Sequence, residues 1–225
     1  MIERDTFLAT VRESLERGTR PGDQRPEAPA PYRPPAAPAA EERIRSLIHE
    51  LEAVGGIVHH AASSSEARTR VVEILRERDV RSIVRGNTSR MKELDLDPVL
   101  QAAGIEVTVC DGRRGTPREE LRQAALAADA GVCSADFGVA ETGTLALLAR
   151  PGQGRSISLL PPLHVAVLDA GDVVQELAEL FEKTTERGIP SALTLITGPS
   201  RTGDIELVLT IGVHGPGELH LVLMT

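Results

Sequence analysis

The chain has 225 residues, enough for one hydrophobic core with an appendage, and its composition is that of a soluble globular domain. Its 25 basic and 33 acidic side chains give a net charge of −8, which, with no Trp and only 2% aromatic residues, argues against nucleic-acid binding. Because the sequence has no apolar run of about 18 residues and its first 18 residues are charged throughout, we expect no membrane span, no signal peptide and a cytoplasmic location.

The N-terminal segment is predicted to be a helix joined to the rest of the chain by a linker. Apolar residues, among them Phe7, Val11 and Leu15, recur near helical spacing and predict a short amphipathic helix. Residues 18–40 are rich in proline and typical of an extended or disordered linker. We therefore expect an N-terminal helix (1–17), a proline-rich linker (18–40) and one α/β domain (41–225). The helix could pack on its own domain or dock on another subunit.

From residue 41 to residue 135, helical patterns alternate with short apolar runs. The helix predicted over residues 63–79 has a serine N-cap and Glu66 in its first turn. This alternation predicts a parallel sheet covered by helices. The other predicted helices are 41–55, 95–104 and 116–129, and the predicted strands are 56–61, 81–86, 105–110 and 130–135.

After residue 135, turn residues become denser. We predict one helix, over residues 171–188, which ends at a glycine. Several strands without intervening helices indicate antiparallel pairing added to the parallel sheet. The fold class predicted is therefore α/β, a mostly parallel sheet with flanking helices and antiparallel additions. The strands predicted in this part are 141–149, 156–170, 192–197 and 218–225.

The segment 135–147 carries the first candidate site. Asp136 follows one predicted strand and Glu141 begins the next, so both are expected in the strand-end crevice where open α/β sheets bind ligands. Thr142, Gly143 and Thr144 add two hydroxyls and a permissive backbone that suit an anion or a sugar-like oxygen. The alternative is a tight turn whose glutamate faces solvent.

A second candidate site follows the predicted strand 192–197. Gly198, Ser200, Thr202 and neighbouring backbone N–H groups could cradle a phosphate or carboxylate, with Arg201 as a bidentate donor. The spacing is not that of a P-loop, whose lysine is missing. The alternative is a turn in which Asp204 pairs internally with Arg201.

Histidine and cysteine give weaker signals. His164 and His214 border turns on the crevice side and are kept as binding candidates, although a lone strand-end histidine is more often a packing residue. Cys110 and Cys133 end apolar runs, which favours small buried hydrophobes. Two thiols cannot supply the four ligands that an iron–sulfur cluster or an all-cysteine zinc site usually needs, so we predict no metal site in this chain.

Three blocks of sequence, 135–147, 158–168 and 197–223, resemble the LUD-domain family, of the lactate-utilisation protein C type. This resemblance implies a fold similar to the ribose-phosphate isomerase and CoA-transferase group. It also implies a role in oxidising L-lactate to pyruvate with iron–sulfur partner proteins, while this chain binds no redox cofactor itself. Glu141 is the position most similar to the nucleophile of CoA-transferases, although the surrounding ETGT differs from their motif. The residues that the blocks carry over are Glu141, Thr142, Gly143, Thr144, His164, Ser200, Arg201, Thr202, Asp204, Glu206 and His214.

Three functional hypotheses remain open at this point. The first is a non-redox subunit of a lactate-oxidising system that binds a small carboxylate, another anion or a partner protein near Glu141 and Arg201. The second is a free-standing enzyme acting on sugar phosphates or CoA esters. The third is a purely structural scaffold, which no small ligand would stabilise.

Overall fold

The computed structural model describes residues 4–18, 38–186, 188–203 and 209–225. Two units are distinguished, Met1–Pro35 and Ala36–Thr225. In the first unit, helix α1 (Arg4–Gly18) matches the predicted N-terminal helix, and Phe7 and Val11 are exposed on it. Most of the predicted linker lies outside the described residues.

The second unit is built on a six-stranded sheet whose neighbouring strands are all parallel. Its strand order is β1-β12-β7-β4-β2-β3, with strands numbered along the chain. Helices cover both of its faces, which explains why the strands are nearly continuous apolar runs. The strands are β1 (Ile57–Ala61), β2 (Ser82–Arg85), β3 (Glu106–Val109), β4 (Ala130–Ser134), β7 (Leu163–Asp169) and β12 (Glu218–Met224).

Alternate residues of the central strands contribute to two separate hydrophobic cores. On β7, Val165 and Val167 point to one core, which also receives apolar side chains of α3, α4 and α5. Ala166 and Leu168 point to the other, which receives side chains of α2, α6 and α7. The helices are α2 (Ala40–Ala53), α3 (Ser64–Glu77), α4 (Ser89–Leu94), α5 (Leu96–Ala102), α6 (Arg118–Ala127), α7 (Ser156–Leu159) and α8 (Leu177–Glu186).

A second, four-stranded sheet lies on the α2 side of the first. Its order is β8-β5-β6-β9, with β6 antiparallel to both of its neighbours. One face of β6 joins the α2 core, and its other face packs with Leu180 of α8 in a third core. These strands are β5 (Phe137–Val139), β6 (Thr144–Leu148), β8 (Val173–Val174) and β9 (Leu193–Ile196), and a separate hairpin pairs β10 (Arg201–Gly203) with β11 (Leu209–Ile211).

The predicted fold class is confirmed, and three local predictions need correction. The last strand, β12, lies inside the parallel sheet between β1 and β7, so the antiparallel pairs are found in the second sheet and the hairpin instead. Residues 156–159 form helix α7 rather than a strand. Residues 173–174 form strand β8, because a 3-10 turn capped by Asp169 precedes them and delays the helix until Leu177.

Candidate functional site

A polar cleft of about 430 Å³ opens at the carboxyl ends of β2, β4 and β7. Loops that follow parallel strands meet at one edge of the sheet, which is where α/β proteins usually bind ligands. The cleft is lined by Asn87, Thr88, Ser89, Arg90, Lys92, Glu93, Arg113, Ser134, Ala135, Asp136, Arg150, Pro151, Val167, Asp169 and Asp172.

Asp136 lies in this cleft, directly after β4, and is almost fully buried. Its Oδ2 accepts a hydrogen bond of 2.8 Å from the backbone N–H of Leu148 and one of 3.3 Å from the amide of Gln153. Its Oδ1 pairs with the guanidinium of Arg150. Because Arg150 keeps 39% of its side chain exposed while Asp136 anchors it, the guanidinium is held in place with donors available to a ligand.

Buried hydroxyls form the floor of the cleft. The hydroxyl oxygens of Thr88 and Ser134 are 2.9 Å apart, and Ser134 donates to the amide oxygen of Gln153 over 3.1 Å. Thr88 also caps α4 by accepting a hydrogen bond from the N–H of Met91. This network joins the loops after β2 and β4, so the floor is rigid and its polar groups are satisfied.

A second arginine is fixed on the β3 side of the cleft. Asp111, which is buried, accepts hydrogen bonds from Arg113 Nε (2.8 Å) and Nη2 (2.7 Å) and from Asn87 Nδ2 (2.7 Å). The bonds from Arg113 and Asn87 hold the pKa of the Asp111 carboxyl well below its usual range. Arg113 is therefore a positioned cation, with about half of its side chain exposed to the cleft mouth.

The β7 side of the cleft carries acidic groups. Arg90 donates to Asp169 (2.6 Å) and to Glu93 (2.7 Å), which links α4 to the carboxyl end of β7. Among the described residues, the exposed ammonium of Lys92 has no ion-pair partner. The three arginines of the cleft are thus each paired with a carboxylate, and Asp169 and Glu93 lie on the β7 side.

Glu141 does not share this cleft with Asp136, which corrects the prediction that one crevice holds both. Residues 137–139 form β5 and carry the chain away from the cleft, so Glu141 lies at the far end of that strand. Its side chain is exposed, and its backbone N–H donates to the carbonyl of Gln175 over 3.0 Å.

The two turns singled out in the sequence do meet, but at the carboxyl end of α2. The hydroxyl oxygens of Thr142 and Thr144 are 2.7 Å apart, and Thr144 Oγ1 is 2.7 Å from Thr197 Oγ1. Gly143 has a φ of +64° and packs against the backbone of Leu51 in α2. The structure brings these hydroxyls together as a packed contact between β6, β9 and α2.

Arg201 and its neighbours lie at the same end of α2. Arg201 Nη2 donates to the carbonyl of Val54 over 2.5 Å, and Gly198, with a φ of +89°, packs against Val54 as well. The N–H of Ser200 donates to the carbonyl of a residue in the loop before β12, and Thr202 pairs with a threonine of β11. Asp204 and Glu206, the other predicted members of this site, lie outside the described residues.

The two candidate histidines are apart from the cleft, contrary to the prediction that both lie on the crevice side. His164 is fully buried near the amino end of β7, with its Nε2 3.2 Å from Cys133 Sγ. Within the described part of the chain, its Nδ1 has no hydrogen-bond partner. Burial lowers the pKa of His164 to about 4, so the ring is neutral at pH 7. His214 is exposed in the loop that precedes β12.

The sequence reasoning missed the basic and amide side chains of the cleft. Arg90, Arg113 and Arg150 line the cleft and come from the separate segments that follow β2, β3 and β6, while Gln153 bonds to Asp136 and Ser134. The signal that could have found Arg90 and Arg113 is their position after a parallel strand, whereas Arg150 follows the antiparallel strand β6, to which the strand-end rule does not apply.

Neither a cluster of potential metal ligands nor a membrane-spanning helix is found among the described residues. Within residues 4–18, 38–186, 188–203 and 209–225, no three His, Cys, Asp or Glu side chains are grouped as a metal site. The helices of the same ranges include none that is long and apolar enough to cross a membrane.

Comparison with known proteins gives sequence matches along nearly the whole chain. A family model described as LUD domain matches residues 44–224. Lactate utilization protein C of Halalkalibacterium halodurans is 31% identical over 226 residues, covering 96% of this chain and 95% of that protein. The uncharacterized protein YkgG of Escherichia coli is 29% identical over 231 residues, covering 96% of this chain and 95% of that protein. A crystal structure of a DUF162 family protein from Deinococcus radiodurans has a TM-score of 0.62 at 18% identity, covering 84% of this chain and all of that one, which indicates a shared fold.

Proposed function

The chain belongs to the LUD-domain family, and from this membership we propose that it is a subunit of a system that oxidises L-lactate to pyruvate. The observation that carries the proposal is the near full-length similarity to proteins named Lactate utilization protein C, at 31% and 29% identity in two different bacteria. In this proposal the chain works in the cytoplasm together with iron–sulfur partner proteins.

The electron carriers of the system belong to the partners in this proposal, and the chain itself binds no redox cofactor. Its two thiols, Cys110 and Cys133, are both buried, and burial raises the pKa of each. A buried neutral thiol is a poor metal ligand, because the thiolate is the form that binds. The role left to this chain is to bind a ligand or to assemble the partners.

The ligand that the cleft fits best is a small organic anion such as a carboxylate. The donors available to it are the outer N–H groups of Arg113 and Arg150 and the ammonium of Lys92. Arg150 and Arg113 are held by Asp136 and Asp111, so little side-chain freedom is lost when an anion binds. The hydroxyl of a 2-hydroxy acid could donate to the carboxylates on the β7 side of the cleft.

A growth experiment tests the physiological role. Deleting the gene should abolish growth on L-lactate while growth on pyruvate continues, because only the oxidation step is lost. The tagged chain isolated from lactate-grown cells should retain iron–sulfur proteins. Unimpaired growth of the deletion strain on L-lactate would contradict the proposal.

A binding experiment tests the cleft separately. Calorimetry with L-lactate and pyruvate should give an affinity that Arg150→Met weakens by roughly tenfold to a hundredfold, the effect of one charge-assisted hydrogen bond. Lys92→Met supplies a second variant, at an exposed side chain without an ion-pair partner among the described residues, so the fold should remain intact. Arg122→Met, on the exposed face of α6, is the matched control and should bind like the wild type. If all three variants bind L-lactate and pyruvate with the same affinity, the ligand does not bind in this cleft.

A further inference from the structure

Two histidines on neighbouring strands point their ring nitrogens at each other. His59 of β1 and His220 of β12 have Nε2 and Nδ1 2.9 Å apart, ring centroids 5.2 Å apart and ring planes inclined by 11°. With the centroids this far apart and the nitrogens in contact, the rings lie end to end in nearly one plane rather than face to face. His220 is 1% exposed, whereas His59 is half-buried.

On the other side of His220, a carboxylate and an arginine extend this line of hydrogen-bonded side chains. Its Nε2 is 2.6 Å from Glu218 Oε1, and Arg78 donates to the same oxygen from Nε (2.7 Å) and Nη2 (2.5 Å). Hydrogen bonds from Arg78 and His220 lower the pKa of the Glu218 carboxyl, so it is ionised and only accepts.

The ionised carboxylate determines where the protons of the two rings are. His220 Nε2 must carry a proton in order to donate to Glu218, which leaves His220 Nδ1 as an acceptor when the ring is neutral. His59 Nε2 must then donate to that nitrogen. In a neutral His59 ring, Nδ1 is consequently unprotonated.

We propose that the series Glu218–His220–His59 is a two-proton switch that holds edge strand β1 on the sheet at neutral pH and releases it in acid. One added proton is compatible with the series, because a single hydrogen still lies between the two facing nitrogens. A second added proton places a hydrogen on both nitrogens, so their hydrogen bond is lost and two cations oppose each other. In the described sheet β1 pairs only with β12, so no strand on its other side compensates.

The groups facing the pair favour this response. Helix α3 presents Arg70 and Glu77, the residue that caps its end presents the Arg78 guanidinium, and β12 presents Glu218 and His220. Burial lowers the pKa of His59, His220 and the two arginines lower it further, and Glu77 opposes them. The folded protein therefore takes up a proton at His59 less readily than the unfolded chain, and the second proton, which breaks the series and loosens β1, is added only as the pH falls further.

Amide hydrogen exchange in the full-length chain tests the proposal. Between about pH 7.5 and about pH 5, protection of the β1 amides, corrected for intrinsic rates, should fall at least tenfold relative to β4. His59→Gln keeps a donor for His220 Nδ1 but cannot take up a proton, so its β1 protection should not depend on pH. His60→Gln, the exposed neighbour on the same strand, should behave like the wild type.

The outcomes are decisive in either direction. If His59→Gln loses β1 protection in acid as the wild type does, or if the wild type loses none, the switch does not exist. A merely structural role for His59 would change protection equally at both pH values. The NMR spectrum of the histidine ring nitrogens gives a second readout. At neutral pH, His220 should carry its proton on Nε2, and a proton on Nδ1 instead would contradict the proposal.

Discussion

The guanidinium of Arg201 donates a 2.5 Å hydrogen bond to the backbone carbonyl of Val54, the residue that caps the carboxyl end of α2. The last carbonyls of a helix have no partner within the helix, and a cation is favourable at that end. Gly55 allows the approach, because a Cβ at this position would lie 2.8 Å from Arg201 Nη2. The arginine expected to bind an anion therefore has a structural contact as well.

This contact predicts that Arg201 contributes to stability. Arg201→Ala should lower the free energy of unfolding by about 0.5–1.5 kcal/mol, the usual contribution of one hydrogen bond. Arg201→Lys should lose less, since the ammonium can still donate to the carbonyl. Urea unfolding gives both values, and Arg122→Ala, which removes an exposed ion pair on α6, should cost less than Arg201→Ala. If the Arg201 variants instead bind anions more weakly while their free energy of unfolding is unchanged, the anion site predicted from the sequence is supported.

Gly143 is predicted to be required for packing. A Cβ at this position would lie 2.3 Å from the backbone nitrogen of Leu51, and its φ of +64° is unfavourable for other residues. Gly143→Ala should destabilise the fold by more than about 2 kcal/mol, because neither backbone can move freely. The matched control is Gly104→Ala, which has a φ of +75° but no atom within 4 Å of its Cβ, and should cost only about 1 kcal/mol. Similar losses in both variants would mean that conformation, not contact with α2, explains the glycine.

The alternation of helices and strands could be predicted because periodicity changes along the chain. Amphipathic runs such as α3 and apolar runs such as β4 have different spacing, and both are long enough to be recognised. Residues 156–159 failed this test, because Ile157 and Leu159 alternate with serines as in a strand, and four residues are too few to distinguish a strand from a helix. The three residues of β5 were too few to be recognised as a strand. That omission led to the prediction that Asp136 and Glu141 share a crevice.

The candidate site was harder to predict than the fold because it is assembled from separate loops. Asp136 was found, since it directly follows a recognisable strand. Arg113 and Arg150 belong to no recognisable motif, and it is the order of the strands in the sheet that brings both of them to one cleft. That order is nonlocal, with the last strand of the chain in the interior, and no short pattern in the sequence contains it.

The two thiols are predicted to be unreactive in the folded protein. Cys110 and Cys133 are buried, and burial raises the pKa of both, so each carries less thiolate than an exposed cysteine does. A disulfide-forming thiol reagent should therefore label neither in native buffer and both in denaturant. Rapid labelling of one thiol in native buffer would show that its surroundings open, and would weaken the argument that neither is available to a metal.

His164 is predicted to make the fold less stable in acid. Its pKa in the folded protein is about 4, below the value of about 6.5 in an unfolded chain, so the unfolded chain binds the proton more readily. Stability from this group is fully present above about pH 6.5 and is lost progressively as the pH falls to about 4, by roughly 3 kcal/mol in all. His164→Gln should flatten the dependence of the unfolding free energy on pH across that interval, whatever its effect at pH 7. Unfolding curves at a series of pH values measure this slope, with His60→Gln as the exposed-histidine control. An unchanged slope in His164→Gln would mean that the ring is protonated, or reaches water, in the folded protein.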